Sequence, residues 1–252
     1  GILPVALDEG VKLIPYLENV EKQYRAKFLL GVTTETQDIE GKVVTETPTG
    51  PFERRVIEDA LASYLGRITQ RIPAYSSKKV NRKPLYKWAR SGVPVEQPTK
   101  EVEIFDITLL DYTHPYLDVT VTCSKGTYIR ALASDLGEQL GCGATLHTLK
   151  RTKHGDFTEN MGTDIDYFKM EQDLINYLLP LENILGSVRG MVVDAPLEKF
   201  LKHGMPVPIT GNSKDWKHGE NARLFDKQGM LIGIGVADLA SRTIKIKRLI
   251  NH

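Results

Sequence analysis

Two neighbouring strand patterns, followed at once by a helical one, restrict the folds open to this chain. Residues 101–112 and 116–124 are both rich in strand-forming residues, and the second alternates through Leu117, Val119 and Val121. His114-Pro115 lies between them and predicts a hairpin. Residues 127–140 then carry apolar residues at helical spacing and end at Gly141. This order predicts an α+β fold, a mostly antiparallel sheet flanked by helices.

The remaining patterns extend this fold and add a second domain. Residues 22–30 predict a strand, residues 33–49 a long loop, and residues 52–65, 84–91 and 174–185 helices. Beyond residue 189 the segments become short, β-like and punctuated by glycines, with strands expected at 191–193, 222–225, 230–237 and 243–249. We therefore predict a larger domain over residues 1–188 and a small β-rich domain over 189–252.

Composition excludes several classes of protein. The 33 Lys and Arg nearly balance the 32 Asp and Glu, and two cysteines are too few for a disulfide framework. No apolar run approaches the roughly 18 residues of a membrane span. The six histidines show no metal-binding spacing, and nucleotide-binding glycine loops and a nucleophile elbow are absent from the sequence. We expect a cytoplasmic protein without metal, cofactor or membrane partner.

Basic residues are concentrated in three clusters although the net charge is only +1. Residues 71–95 contain seven cations and no Asp or Glu, interleaved with Tyr75, Tyr86 and Trp88. Such a mixture can hold phosphates and stack bases, although a solvated helical face with a few core aromatics would have the same composition. The other two clusters are Lys150, Arg151, Lys153 and His154, and Arg242, Lys245, Lys247 and Arg248. Three separated clusters favour folded RNA as the partner. The candidate RNA-binding residues are Lys78, Lys79, Arg82, Lys83, Lys150, Arg151, Lys245 and Lys247.

The segment SKGTYIR at residues 124–130 lies where a predicted strand passes into a predicted helix. Gly126 permits a tight approach, Thr127 is placed to cap the helix, and Tyr128 and Arg130 fall in its first turn. Arginine is a permanent cation whose fork suits a carboxylate or a phosphate. Spacing alone favours an ordinary helix start with a surface arginine and a core tyrosine.

Seven segments, taken in order, resemble the TruB-type tRNA pseudouridine synthases. They are GILP at 1–4, EKQYRAKFLLG at 21–31, TTETQDIEGKV at 33–43, IPAYSSKK at 72–79, LYKWARSG at 85–92, SKGTYIR at 124–130 and DLGEQLGCGATL at 135–146. The resemblance implies the pseudouridine synthase fold with a C-terminal PUA RNA-binding domain. It also implies isomerisation of the T-loop uridine of tRNA after base flipping, by an enzyme that we expect to be a monomer.

The resemblance implies catalytic roles for Tyr24 and Arg130 and substrate contacts for Tyr24, Tyr128 and Leu149. In the family, the nucleophilic aspartate lies in a GTLDP segment just before the residues matched by GILP. This sequence begins at Gly1, so we expect its nucleophile to be missing, its Arg130 to lack that natural partner, and the chain alone to be inactive. Asp8 lies on the other side of the match and is not assigned the role. The alternative is a non-catalytic RNA-binding or tRNA-folding protein that uses the same surface.

Overall fold

The computed structural model describes residues 1–18, 20–211 and 215–251. The chain divides into two compact units, the first formed by Gly1–Leu3 with Asn19–Glu159 and the second by Pro4–Glu18 with Asn160–His252. The helices are α1 (Ile14–Leu17), α2 (Arg54–Ala62), α3 (Leu85–Arg90), α4 (Ile129–Gln139), α5 (Glu171–Ile175) and α6 (Ala195–Lys202). The strands are β1 (Lys22–Leu30), β2 (Val32–Thr34), β3 (Val43–Glu46), β4 (Gly66–Arg71), β5 (Lys79–Val80), β6 (Lys83–Pro84), β7 (Thr99–Thr113), β8 (Tyr116–Cys123), β9 (Ala144–His154), β10 (Phe157–Thr158), β11 (Gly190–Val192), β12 (Val207–Pro208), β13 (Asn221–Phe225), β14 (Leu231–Asp238) and β15 (Thr243–Leu249).

A six-stranded sheet with the order β10-β9-β1-β8-β7-β4 forms the centre of the first unit, and each neighbouring pair is antiparallel. Alternate residues of β1 and β8 turn towards one face, where Ala26, Phe28, Leu117 and Val119 are almost fully buried. Helix α4 packs across β1, β4 and β9, and its apolar stripe joins this core. The predicted α+β fold with a mainly antiparallel sheet is confirmed.

The predicted hairpin is also confirmed, since β7 and β8 pair from Thr113 opposite Tyr116. Three strands of the sheet, β4, β9 and the two-residue β10, were not predicted. The register between β1 and β9 shifts twice, and beyond Leu146 the side chains of β9 are exposed or half-buried. Both features remove the regular alternation by which a strand is recognised in a sequence.

Two predicted segments differ from the structure. Residues 33–49 were expected to form a loop, but Val32–Thr34 and Val43–Glu46 pair as a hairpin. All four residues of β3 are exposed, so no apolar pattern marks it. The helix expected over 174–185 is replaced by α5 and a 3-10 turn at Leu181–Asn183. Pro180 lies between them and cannot continue a helix.

The second unit contains a five-stranded sheet with the order β11-β13-β14-β15-β12. Its pairs are antiparallel except for β11 with β13, and its core includes Leu201, Trp216 and Leu224. Gly233 allows the close approach of β15, because a Cβ there would lie 2.2 Å from the carbonyl oxygen of Arg248. The domain boundary between residues 188 and 189 stays a prediction. None of the described helices is long and apolar enough to span a bilayer.

Candidate functional site

The turn from β8 into α4 brings the SKGTYIR segment to one end of the sheet. Gly126 has a φ of +81°, a left-handed conformation that favours glycine. The Lys100 ammonium donates to the carbonyl of Lys125 over 2.7 Å. The expected cap by Thr127 is wrong. Its hydroxyl donates to the carbonyl of Ser124, and Tyr128 is the N-cap residue of α4.

The side chain of Arg130 is held at both ends of its fork. Nη1 donates to Oδ2 of Asp38 over 3.1 Å, and Nη2 donates to the carbonyl of Tyr75 over 2.5 Å. Both charged side chains are largely buried, with 20% of Arg130 and 25% of Asp38 exposed. A guanidinium with two fixed partners in a partly buried place has a defined position and a strong local field.

Asp38 is a site residue that the sequence analysis did not identify. Its second oxygen, Oδ1, accepts from the hydroxyl of Thr36 over 2.5 Å and from the amide of Glu40 over 3.3 Å. Arg130 therefore has a carboxylate partner in Asp38, whereas the expected absence of its natural partner, the nucleophilic aspartate, stays a prediction. Asp38 belongs to the TTETQDIEGKV segment, so the signal was present in the sequence, but no spacing rule connects it with a residue 92 positions away.

Tyr24 and Leu149 form a second group on the adjacent strands β1 and β9. In the register, Tyr24 lies opposite Arg151 and Ala26 lies opposite Leu149, so these side chains share one face of the sheet. Tyr24 is half-buried and its ring packs against the core. Leu149 is 47% exposed, so its side chain can be reached from outside the protein.

The surroundings of Tyr24 affect its acidity. Burial raises the pKa of its hydroxyl above the ordinary value of 10.0, the neighbouring Cys123 adds to the increase, and Arg151 opposes it. Tyr24 is therefore a neutral phenol at physiological pH. It offers a flat ring and a hydroxyl that can donate or accept a hydrogen bond.

The loop that carries Asp38 joins the two groups. The amide of Ile39 donates to the carbonyl of Leu146, and the amide of Leu146 donates to the carbonyl of Gln37, both over 3.0 Å. These bonds attach the loop to β9 three residues before Leu149. The partner of Arg130 is thus fixed to the strand that also carries the exposed leucine.

The first basic cluster lies on the hairpin formed by β5 and β6. Asn81 and Arg82 at its turn have φ values of +52° and +66°, the left-handed pair of a tight hairpin turn. The indole Nε1 of Trp88 donates to the carbonyl of Val80 over 3.2 Å, and the ammonium of Lys83 lies 3.9 Å from the centre of the Trp88 ring. Lys78, Lys79 and Arg82 are exposed, and Lys83 is half-buried.

The other basic residues differ in their exposure and in the bonds that they form within the protein. Lys150 is exposed but forms an ion pair with Glu159. Arg151 is half-buried, and its Nε donates to the carbonyl of Ile2 over 2.9 Å. In the second unit, Lys245 and Lys247 are exposed and two residues apart on β15, so both point to the same face.

Metal and thiol chemistry find little support among the described residues. Nowhere in the ranges 1–18, 20–211 and 215–251 do three or more His, Cys, Asp or Glu side chains come together to hold a metal ion. Cys123 and Cys142 are buried, and burial raises the pKa of Cys123 to about 11. A buried, protonated thiol is a poor nucleophile.

Comparison with known proteins agrees with this picture. Residues 1–129 match the TruB family pseudouridylate synthase N-terminal domain, and residues 130–186 match the tRNA pseudouridylate synthase B C-terminal domain. The tRNA pseudouridine synthase B of Syntrophus aciditrophicus is 40% identical over 81% of this chain and 66% of its own length. That of Coxiella burnetii is 36% identical over 99% of this chain and 81% of its own length.

Solved structures show the same fold at low sequence identity. One chain of a Cbf5-Nop10-Gar1 complex is 20% identical, with a TM-score of 0.74 over 100% of this chain and 73% of that chain. One chain of an H/ACA RNP bound to a substrate RNA has a TM-score of 0.71 at 17% identity, covering 98% of this chain and 71% of that chain. The matched family models and relatives settle the assignment: this chain belongs to the TruB family of pseudouridylate synthases.

Proposed function

We propose that this protein is a tRNA pseudouridine synthase that isomerises the T-loop uridine. One observation carries the proposal. The TruB-family chain holds the Arg130 guanidinium between Asp38 and Tyr75 and attaches the Asp38 loop to the strand of Leu149, next to the strand of Tyr24. This arrangement provides a fixed cation and an aromatic-apolar surface, the two elements needed to hold a uridine beside a reacting carboxylate.

The reaction begins with extrusion of the uridine, because a stacked base cannot be reached by protein groups. The ring of Tyr24 stacks on the extruded uracil, and Leu149 covers it with an apolar contact. The bond between N1 and C1′ of the ribose breaks, the uracil turns, and C5 bonds to C1′. The proton on C5 leaves and N1 gains one, so the atoms balance without a cofactor or a metal ion.

We further propose that the carboxylate nucleophile comes from a segment joined before Gly1. The amide of Ile2 donates to the carbonyl of Arg151 over 2.9 Å, and a Cβ on Gly1 would lie 2.6 Å from the backbone nitrogen of Arg151. Since Arg151 lies opposite Tyr24, a segment entering at Gly1 would reach the site beside Tyr24. Arg130 would then hold that carboxylate ionised and lower its pKa.

The basic surfaces are proposed to bind the tRNA T stem-loop. Lys78, Lys79, Arg82 and Lys83 on the β5–β6 hairpin, with Lys150 and Arg151 on β9, would contact phosphates near the reacting base. We propose that the second unit acts as a PUA-like RNA-binding domain through Lys245 and Lys247. The protein is proposed to work in the cytoplasm as a monomer.

A non-catalytic tRNA-binding protein is the second candidate. It is favoured by the state of Asp38, whose two oxygens already accept bonds from Arg130, Thr36 and Glu40. A carboxylate engaged in this way is a weak nucleophile. The same exposed cations would still bind RNA in the absence of chemistry.

Tritium release from uridine labelled at C5 in a T stem-loop RNA separates the two candidates. The assay is run with the 252-residue chain and again with a chain that carries the aspartate-containing segment before Gly1. We expect release only in the second case, and loss of release in Arg130→Met. Release by the shorter chain that is abolished in Asp8→Ala would identify Asp8 as the nucleophile and overturn the proposal. RNA binding without release in either form would establish the non-catalytic candidate.

A further inference from the structure

Gln70 is a buried polar residue for which the proposed reaction has so far provided no role. It lies on the edge strand β4, and only 1% of it is exposed. Its Nε2 donates to the carbonyl of Tyr128 over 3.0 Å, and its Oε1 accepts from the amide of Tyr128 over 2.8 Å. The side-chain amide of Gln70 thus pairs with both the backbone amide and the backbone carbonyl of Tyr128, as a neighbouring strand would.

We propose that Gln70 is a positioning residue that fixes Tyr128 and Arg130 for the reaction. The inference rests on the proposed function, since Gln70 itself is not expected to contact the base. A buried amide is costly unless its donors and acceptors are used. The two bonds to Tyr128 use both polar atoms of the side-chain amide and explain why a glutamine is buried here.

The two hydrogen bonds between Gln70 and Tyr128 determine where α4 begins. Tyr128 is the N-cap residue and has extended dihedrals, φ −99° and ψ 104°. Its carbonyl also accepts the first helical bond, from the amide of Leu132 over 3.1 Å. Gln70 therefore donates to the carbonyl that also accepts the first helical hydrogen bond. It accepts from the N-cap amide, which has no partner inside the helix. Arg130 lies two residues further on, in the first turn.

The same segment also holds the side chain of Arg130. Five residues after Gln70, the carbonyl of Tyr75 accepts from Nη2 of Arg130. Between these two points Ile72 is buried, and its amide donates to the carbonyl of Pro98 over 2.9 Å. Residues 70–75 thus hydrogen-bond to the start of α4 at two points, the backbone of Tyr128 and the guanidinium of Arg130.

Gln70 acts at a distance from the base but on both residues expected to contact the substrate or its nucleophile. Removing its amide frees the backbone of Tyr128 and allows the first turn of α4 to shift relative to Tyr75. A displacement of about 1 Å at a reacting group can cost on the order of a hundredfold in rate. The expected effect is a fall in kcat with KM nearly unchanged, because the surfaces that bind RNA lie elsewhere.

Three variants test the proposal. Gln70→Leu keeps the approximate size and removes both bonds. Gln70→Glu keeps an acceptor for the amide of Tyr128 but places a second acceptor against its carbonyl. Leu117→Val is the control, because Leu117 is fully buried in β8, where it pairs with Phe28 and Tyr112 and not with Gln70 or Tyr128. It removes one buried methylene and leaves both hydrogen bonds between Gln70 and Tyr128 in place.

The first measurement is hydrogen exchange by NMR at the amide of Tyr128 and the guanidinium of Arg130 in the full chain. We expect Gln70→Leu to speed exchange at Tyr128 about five- to tenfold, as expected for one lost hydrogen bond, and to broaden the Arg130 signals. Gln70→Glu should have an intermediate effect. Leu117→Val should change neither group selectively. Unchanged exchange at Tyr128 in Gln70→Leu would overturn the proposal.

The second measurement is turnover, made in whichever form of the protein releases tritium. Gln70→Leu should lower kcat about tenfold or more with KM within about twofold, whereas Leu117→Val should leave both unchanged below its unfolding temperature. Faster exchange at Tyr128 with normal kcat would also overturn the proposal. Absence of tritium release from every form of the wild type would refute the proposed function instead, and the exchange result would still decide whether Gln70 fixes Tyr128 and Arg130.

Discussion

Arg130 and Asp38 are separated by 92 residues in the sequence, and their side chains meet at 3.1 Å. The pair joins the start of α4 to a loop that is itself hydrogen-bonded to β9 at Leu146. Since Asp38 is also held by Thr36, the carboxylate cannot easily follow the guanidinium if α4 moves. The position of Arg130 is therefore determined jointly by the loop, by Tyr75 and by the helix.

Asp38→Asn tests the importance of this pair. The substitution retains an oxygen that can accept from Thr36 but removes the charge that faces Arg130. Hydrogen bonds to charged groups contribute about 1.5 to 3 kcal/mol, so we expect kcat to fall about ten- to a hundredfold with KM little changed. The measurement is steady-state tritium release in the active form of the protein.

Asp118→Asn is the matched control for Asp38→Asn. Asp118 forms an ion pair with Lys27 over 3.5 Å and is 18% exposed, so it is about as buried as Asp38. It lies on β8, where its loss should leave kcat unchanged. Equal losses of activity in the two variants would mean that Asp38 acts only through the stability of the fold.

Tyr24 provides the second prediction. Stacking of a base on an aromatic ring contributes about 1 to 3 kcal/mol, so Tyr24→Leu should weaken binding of the T stem-loop by that amount, while Tyr24→Phe should retain it. If the hydroxyl takes part in proton transfer, Tyr24→Phe will bind normally and lose turnover. Both quantities are obtained from a binding titration and tritium release on the same RNA.

Tyr116→Leu is the control for the stacking prediction. Tyr116 is a partly exposed strand tyrosine on β8, and its ring packs edge-on against His147 with the centroids 5.2 Å apart. Its loss removes a similar ring from the same sheet but away from the proposed site. An unaffected affinity in Tyr24→Leu would mean that Tyr24 is a core residue and that its assignment is incorrect.

The sequence predicted β1, β7, β8 and α4 because each has one buried face, and burial imposes a regular apolar spacing. Leu117, Val119 and Val121 are buried at every second position, which is the pattern that was recognised. β9 was missed because its second half carries exposed or half-buried side chains and its register with β1 shifts. Short-range apolar patterns reflect the burial of one helix or strand, and they do not identify an element whose burial is irregular.

The candidate site was predicted only in part for a related reason. Tyr24, Tyr128, Arg130 and Leu149 were identified by resemblance, and their roles remain predictions. Asp38 and Gln70 were missed because each acts through a partner at least 58 positions away. Such pairs depend on the packing of separate elements, which no local spacing encodes.

The turn of the β5–β6 hairpin yields a third prediction. Arg82 has a φ of +66°, a conformation that glycine adopts without strain and arginine does not. Arg82→Gly should therefore raise the thermal stability slightly, yet weaken RNA binding if Arg82 contacts a phosphate. Opposite signs for stability and affinity would separate an RNA-binding residue from a structural one.

The salt dependence of binding measures the same contact independently. Each lost phosphate contact lowers the slope of log affinity against log salt by about 0.7 to 0.9, so Arg82→Gly should show a shallower slope than the wild type. Arg55→Ala is the control, because Arg55 is 87% exposed on α2, outside the three clusters. A wild-type affinity that does not change with salt would refute phosphate binding by the clusters altogether.

Asp135 provides the last prediction, concerning stability and pH. It lies on α4, and burial raises the pKa of its carboxyl above the ordinary value of 3.8, with Glu138 adding to the increase and Arg71 opposing it. Tyr64 faces the same group, since burial and then the charge of Asp135 raise the pKa of Tyr64 to about 12. The folded chain therefore binds a proton at Asp135 more tightly than the unfolded chain.

The sign of the effect follows from this difference. A carboxyl whose pKa is raised by folding stabilises the fold below its ordinary pKa, and this contribution is lost as the pH rises through the folded pKa. At pH 7 the ionised Asp135 destabilises the fold, so Asp135→Asn should increase the free energy of unfolding there, and the increase should shrink as the pH falls below about 4. Urea unfolding at pH 7 and at acid pH measures both values. Asp59→Asn is the control substitution, because the Asp59 side chain is 75% exposed on α2. A variant of Asp135 that is less stable than the wild type at pH 7 would mean that Arg71 outweighs burial, and the charge would then be part of the packing of α4 against β4.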